Sequence, residues 1–284
     1  MKVSELIHTT CRSLTDASVF FGHGTDNAWD EAVALVLGVT QLPDDRASLA
    51  TQVSAAAARS VAELLERRIT DRVPLAYLLG KAQFAGMEFL IEPGVVIPRS
   101  PIGELLETAL RPWVTRPPRT IIDVCCGSGC IGIACARRFA GSQLTLVDID
   151  AQAVAVARKN VLRHGLADRA TVLQSDLFAE VLPGRFDLIL CNPPYVDAID
   201  MASLPPEYRH EPVLGLAGGD DGLTLVHRLL EELPQRLSVE GVLVCEVGAS
   251  APALLRSYPQ TAFFWPDLVA GGEGIFILEG NTVR

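Results

Sequence analysis

Between residues 120 and 246 the chain alternates short apolar runs with longer amphipathic stretches, and few folds accommodate that order. Residues 121–124, 144–147, 170–173, 186–191 and 241–246 have the length and apolar composition of strands, while 130–139 and 151–164 carry apolar positions at helical spacing. A strand that follows another through a helix pairs with it in parallel, because only a crossover of that length brings the chain back in the same direction. The expectation is an α/β fold with a mostly parallel sheet and helices on both faces. The end breaks the pattern. Residues 262–265 and 275–279 both read as strands, separated by Gly271-Gly272-Glu273-Gly274, so the last strand is expected to enter antiparallel.

Ahead of this region the period is helical. Val3, Leu6, Ile7, Cys11 and Leu14 recur at helical spacing, as do Val53, Ala57, Val61, Leu64 and Leu65. Thr25-Asp26-Asn27 supplies cap residues before Ala32, Val33, Leu35 and Val36, and Pro74 admits a short helix over 75–79 that Gly80 closes. Phe84, Met87, Phe89 and Ile91, then Val95, Val96 and Ile97, predict two short strands around Pro93-Gly94, followed by a helix over 102–110. The boundaries that follow are 1–82 for a small helical domain, 83–98 for a β-hairpin linker and 99–284 for the α/β domain.

With 49% hydrophobic and 20% charged residues in 284, the chain can bury a core and is not a disordered one. A net charge of −10 argues against sequence-independent nucleic-acid binding, which needs a basic footprint, and leaves room for a basic protein partner. The longest uncharged run, residues 124–136, falls short of the roughly 20 apolar residues of a membrane span, and the start has no apolar signal core. The 7 cysteines, an odd count set within apolar runs, read as reduced thiols. The expectation is a cytoplasmic enzyme with no membrane contact.

Chemistry concentrates at two strand ends. The first is Ile121-Ile122-Asp123-Val124-Cys125-Cys126-Gly127-Ser128-Gly129-Cys130-Ile131-Gly132, a strand, a glycine turn and a helix start. Such a turn brings backbone N–H groups close to a ligand without side-chain interference. Asp148 ends the next strand, where a carboxylate accepts from a ribose diol, so an adenosine-containing cofactor is expected. Gly127, Gly129 and Gly132 also spell the dinucleotide fingerprint, with Asp148 about 20 residues on. Against a nicotinamide stands Asp123, whose carboxylate would oppose a pyrophosphate and suits an ammonium group.

The second is Leu188-Ile189-Leu190-Cys191-Asn192-Pro193-Pro194-Tyr195, a motif for which a dehydrogenase has no use. Two prolines hold a rigid bend while leaving their carbonyls available. The oxygens of Asn192 and Pro193 can accept both N–H bonds of a planar amino group, with Tyr195 packed against it. A nitrogen so held faces an electrophile placed by the glycine turn, and transfer then follows from positioning and electrostatics.

The stretch from Asp123 to Tyr195 resembles class I S-adenosylmethionine-dependent methyltransferases, a Rossmann-like fold, and specifically those that modify planar amino nitrogens. Over nearly its whole length the chain resembles the protein-glutamine methyltransferases, and within them the members that modify large-subunit ribosomal protein L-three. The match rests on Gly22-His23-Gly24-Thr25-Asp26-Asn27-Ala28-Trp29-Asp30-Glu31-Ala32, on Pro98-Arg99-Ser100-Pro101-Ile102-Gly103-Glu104-Leu105, and on Asn192-Pro193-Pro194-Tyr195-Val196-Asp197-Ala198 continuing to Tyr208-Arg209-His210-Glu211-Pro212. The branch acting on release factors, the nearest alternative, typically reads Pro-Arg-Pro where this chain reads Pro98-Arg99-Ser100.

The resemblance implies that S-adenosyl-L-methionine is the cofactor. Asp123, Gly127 and Gly129 would line its methionine part, Asp148 its ribose, and Asp176 and Leu177 its adenine, with Asn192 at the edge of the same site. Asn192, Pro193, Pro194 and Tyr195 would hold the glutamine amide and Arg99 would brace the mouth, the catalytic set being Asn192, Pro193 and Tyr195. It further implies a basic ribosomal protein as partner, read by the helical domain with the block around Trp29. The family more often has Gly or Thr at positions 125 and 126, where this chain has Cys.

Other candidates have plainer readings. Cys125, Cys126, Cys130 and Cys135 lack paired zinc spacing and read as small buried hydrophobes, so no metal is expected. His210 reads as a loop hydrogen-bonder. Glu246, at a strand end, reads equally as a buried residue and as part of the cofactor edge.

Overall fold

A computed structural model describes residues 1–269 and 272–282. Gly271 of the expected final turn and the last two residues of the expected 99–284 domain lie outside the described residues. The chain forms two compact units. The first comprises Met1–Ala82, Ile91–Pro93 and Pro205–His210; the second comprises Gln83–Leu90, Gly94–Leu204 and the chain from Glu211 on.

The first unit is helical: α1 (Val3–Asp16), α2 (Ala28–Thr40), α3 (Arg46–Leu49), α4 (Ala55–Thr70) and α5 (Leu75–Leu79). Val3, Leu6, Ile7 and Leu14 of α1 form one core with Ala32, Leu35 and Val36 of α2 and Val61 of α4. Asn27 caps α2, its Oδ1 accepting from the Asp30 N–H at 2.9 Å, and Gly80 ends α5 at φ +68. Buried Arg68 sits at the polar centre: it donates to Glu31 at 2.6 Å, to Glu207 at 3.1 Å and to the Phe20 carbonyl at 2.6 Å. Thr25 donates to the other Glu31 oxygen at 3.0 Å. The sequence block before α2 is thus used for capping and for this ion-pair network, while Trp29 is half-exposed against His8.

The hairpin pairs β1 (Lys81–Phe84) with β2 (Met87–Leu90) and turns at Ala85-Gly86. The turn is not at Pro93-Gly94, where it is expected from the sequence, because that pair follows β2. Ala85 and Gly86 both take positive φ, +47 and +72, as a two-residue hairpin turn requires. Val95 and Ile97 are buried without strand pairing. The helix expected over 102–110 is α6 (Ile102–Glu107), stopped where Ala109 and Leu110 turn left-handed.

The second unit continues as β3 (Thr120–Val124), α7 (Cys130–Arg138), β4 (Gln143–Asp148), α8 (Ala151–Arg163), β5 (Ala170–Gln174) and β6 (Phe186–Cys191). Then come α9 (Ala198–Ser203), α10 (Thr224–Arg236), β7 (Leu237–Glu246), α11 (Ala251–Ser257) and β8 (Ile275–Glu279). The sheet order is β5-β4-β3-β6-β7-β8, parallel except for β8, which pairs antiparallel with β7. Alternate residues enter two cores. Ile121, Leu144, Leu188 and Val244 pack with α7 and α8, whereas Ile122, Val147, Ile189 and Leu243 pack with α10 and α11.

The strand expected at 262–265 does not form. Phe264 makes a single antiparallel bridge to Ile277, while Phe263 and Trp265 pack on Phe276 at 4.9 and 5.9 Å between ring centroids. Aromatic packing, not a ladder, fixes this stretch. Among the described residues no helix is long and apolar enough to cross a membrane.

Candidate active site

The chain runs from β3 outward to β4 and β5, then crosses to β6 on the other side of β3. The order therefore reverses between β3 and β6, and in open parallel sheets ligands bind at the carboxyl ends of strands at such a reversal. Both chemical motifs lie there. Register pairs Val124 with Cys191, so the glycine turn and Asn192 leave from neighbouring positions of adjacent strands.

Asp123 is fully buried. Its Oδ2 accepts the Gly132 N–H at the start of α7 at 2.8 Å, but its Oδ1 has no partner. Burial pushes the carboxyl up to about 7; the Gly132 bond opposes the shift and the nearby Asp148 charge adds to it. An orphaned, reluctantly charged oxygen at this place suits a cationic ligand group. Gly127, at φ +54, has open space where a side chain would sit, and Gly129, at φ +80, opens α7. Asp148 accepts the Gly127 N–H at 2.8 Å and the Asp150 N–H at 3.0 Å, so it shapes the turn and keeps lone pairs for a diol. These residues fit a cofactor that carries an ammonium group and a ribose.

Asp176 lies further along the strand ends and is tied to Arg228 of α10 at 2.9 Å. Leu177 beside it is buried in a left-handed conformation, φ +49. Asn192 is half-buried, and among the described residues nothing hydrogen-bonds its amide. Pro193 is buried, and Pro194 and Tyr195 are half-buried. The Tyr195 hydroxyl donates to Glu246 at 2.6 Å, and its carbonyl accepts from Ser250 at 2.9 Å.

Arg99 makes a bidentate pair with buried Glu211, at 2.7 and 2.8 Å, and donates to the Ile97 carbonyl at 3.1 Å. Glu211 also accepts the Ile97 N–H at 2.8 Å. Arg99 thus holds the loop that follows the Asn-Pro-Pro-Tyr motif. His210 bonds the Asp71 carbonyl at 2.8 Å within the first unit.

Several contributors escape sequence reasoning. Asn160, fully buried on the apolar face of α8, donates to the Ser128 carbonyl at 2.9 Å and bonds both polar groups of the Leu90 backbone, fastening the turn to β2. A polar residue within that apolar stripe was the only available signal. Ser100 and Glu207 gave none. Cys11 packs in the helical first unit and the other six cysteines are split between the two cores of the sheet, and burial raises the Cys126, Cys130 and Cys135 thiols, which keeps them protonated. No group of three or more His, Cys, Asp or Glu among the described residues is arranged to hold an ion.

A six-stranded sheet with one antiparallel edge strand, a glycine turn after β3 and Asn-Pro-Pro-Tyr after β6 defines a class I S-adenosylmethionine-dependent methyltransferase fold. The family model described as methyltransferase small domain matches residues 104–204. The hMettl16 catalytic domain, solved with a MAT2A 3′UTR hairpin, is alike in fold: TM-score 0.56 and 18% identity, covering 87% of this chain and 92% of that one. Two curated relatives are far nearer in sequence. The ribosomal protein uL3 glutamine methyltransferase of Bordetella pertussis is 43% identical over 278 residues, 96% of this chain and 93% of its own length. Its counterpart from Francisella tularensis subsp. tularensis is 41% identical over 280 residues, 97% and 89% of the two chains. The chain belongs to the family of ribosomal protein uL3 glutamine methyltransferases.

Proposed function

We propose that this chain methylates the side-chain amide nitrogen of a glutamine in ribosomal protein uL3, with S-adenosyl-L-methionine as donor and S-adenosyl-L-homocysteine as product. The observation that carries the reading is the unpartnered Asn192 amide, half-buried at the strand-order reversal beside the glycine turn. When bound, the cofactor supplies an electrophilic methyl group on a sulfonium. Asp123 would hold its ammonium group, Gly127 and Gly129 would admit its backbone, Asp148 would accept its ribose hydroxyls, and Asp176 and Leu177 would border its base.

The glutamine side chain has one N–H₂ group to satisfy. The Asn192 Oδ1 and Pro193 carbonyl accept its two N–H bonds, which fixes the amide plane and enriches the nitrogen as it attacks. Pro194 keeps the bend rigid and Tyr195 walls the flat group. The methylated nitrogen is acidic enough to lose its extra proton to solvent, so no strong base is assigned. The helical first unit reads the protein substrate, with exposed Trp29 as a contact, and an acidic chain of −10 suits a basic ribosomal partner in the cytoplasm.

The test is transfer of labelled methyl to purified, unmodified uL3 and to a release factor in parallel. Label on uL3 alone, at one glutamine, is expected, with Asn192→Ala lowering kcat by about 10²–10³-fold, the usual loss when one such stabilising contact is removed. Label on the release factor alone would reassign the acceptor, and no label on either protein would overturn the reading.

A further inference from the structure

Register pairs Cys191 with Cys245, so Glu246 leaves the end of β7 beside Asn192 at the end of β6. It is a buried carboxylate, 4% exposed, and both of its oxygens are committed. Oε1 accepts the Tyr195 hydroxyl at 2.6 Å and Oε2 accepts the Ser100 hydroxyl at 2.5 Å. Ser100 in turn accepts the Ile102 N–H at 3.2 Å, which fixes its oxygen at the start of α6. Tyr195 is held at two further points. Ser250 donates to its carbonyl, and its ring lies so close on Gly248 that an added Cβ would sit 2.5 Å from Cε2.

A carboxylate here is costly. Burial pushes its pKa up, and only the Ser100 and Tyr195 bonds and the charge of Arg99 pull it back. A glutamine of the same shape would avoid much of that cost. What a carboxylate does and an amide cannot is accept on both of its terminal atoms, one hydroxyl on each. It thereby commits the single Tyr195 proton, and the phenol oxygen is left able only to accept from any other group.

We propose that Glu246, aligned by Ser100, is the positioning residue that locks Tyr195 in place and makes the acceptor pocket favour the N–H groups of an amide over a carboxylate. The inference rests on the function proposed above and adds the residues that set its acceptor class. With Glu246→Gln, the new Nε2 can donate to Tyr195 and release the phenol proton outward, which reverses the polarity of the pocket wall without emptying space.

The test uses the full chain with Glu246→Gln, Ser100→Ala, Tyr195→Phe and the double variant Glu246→Gln/Tyr195→Phe. Expected for Glu246→Gln is a kcat loss of about ten- to a hundredfold, the equivalent of one hydrogen bond to a charged group, at an unchanged S-adenosylmethionine Kd. The double variant should be no more than about threefold worse than the poorer single one, because both act through the same bond. Ser100→Ala, the milder change, should show a smaller loss of the same kind. Additive losses, or loss of cofactor binding in step with kcat, would overturn the proposal. A second readout needs no turnover. With labelled tyrosine rings, the signal that vanishes in Tyr195→Phe, one of 4 tyrosines, should shift in both Glu246→Gln and Ser100→Ala. An unmoved signal overturns the clamp even if wild type methylates; a wild type that methylates neither protein fails the parent reading and leaves the ring signal to decide the clamp.

Discussion

Asp123 carries a cost that a bound cation relieves. Its Oδ1 is buried without a donor, and desolvation raises its pKa to about 7. Between about pH 4 and 7 the folded chain therefore holds a proton that the unfolded chain has lost, so stability falls as pH rises through that window. A carboxyl moved from its ordinary range to about 7 represents something on the order of 4 kcal/mol. The Tm of the cofactor-free protein should fall from pH 5 to pH 8, and Asp123→Asn should flatten that slope; an equal slope in the variant would refute the assignment. Binding of an ammonium group favours the charged carboxylate, so calorimetry near pH 6, in buffers of different ionisation heat, should detect proton release. At pH 8 Asp123→Asn should weaken S-adenosylmethionine about ten- to a hundredfold.

At the scale of the element, the strand–turn–helix from β3 to α7 separates two glycines that the sequence presents as equivalent. A Cβ at Gly132 would stand 2.5 Å from the Leu146 side chain and 2.8 Å from the Asp123 Cβ, so this glycine lets helix and sheet close. Gly132→Ala should cost about 1–3 kcal/mol by overpacking, read as a lower urea midpoint at unchanged m. Gly127 faces open space, and its substitution meets only the strain of φ +54. Gly127→Ala should spare most of the stability while weakening cofactor binding. The opposite ranking in urea would show that the turn, not the helix contact, holds the element together. Cys125, left-handed at φ +61, shows that the turn accepts a side chain at that position.

For the whole molecule, the path of the chain matters more than any single element. After α9 the chain leaves the second unit, and Pro205–His210 belongs to the helical first unit, where Glu207 reaches Arg68 and the Phe20 N–H. Burial alone would raise the Glu207 pKa; the N–H and the guanidinium outweigh it and hold it low. Removing the cation would leave Glu31 buried with only the Thr25 hydroxyl, and Glu207 buried with only the Phe20 N–H and the longer pair to Arg72 at 3.6 Å. Arg68→Met should therefore cost roughly 3–5 kcal/mol in urea unfolding. Arg68→Lys should recover little, because one ammonium cannot span three acceptors in a fork. A loss below about 1 kcal/mol for Arg68→Met would mean that water reaches the carboxylates.

By itself the sequence determined what depends on near neighbours along the chain. The strand–helix alternation, the glycine turn with Asp123, the Asn192–Tyr195 bend and the short helix that Gly80 closes are all set by residues within a few positions of one another. The hairpin turn is hard to read in the sequence because Ala85-Gly86 is a weaker turn signal than Pro93-Gly94, although Ala85 and Gly86 take the positive φ that two paired strands need. Tertiary structure alone decided which strands became neighbours, and so that Asn192 and the glycine turn meet at one reversal of order. It also decided the partners of the buried polar groups, Ser100 with Glu246, Asn160 with Ser128, and Arg68 with Glu207, each more than 30 residues apart. The physical reason is that periodicity records which face a residue buries, whereas a buried donor or acceptor is satisfied by whatever the completed packing brings beside it.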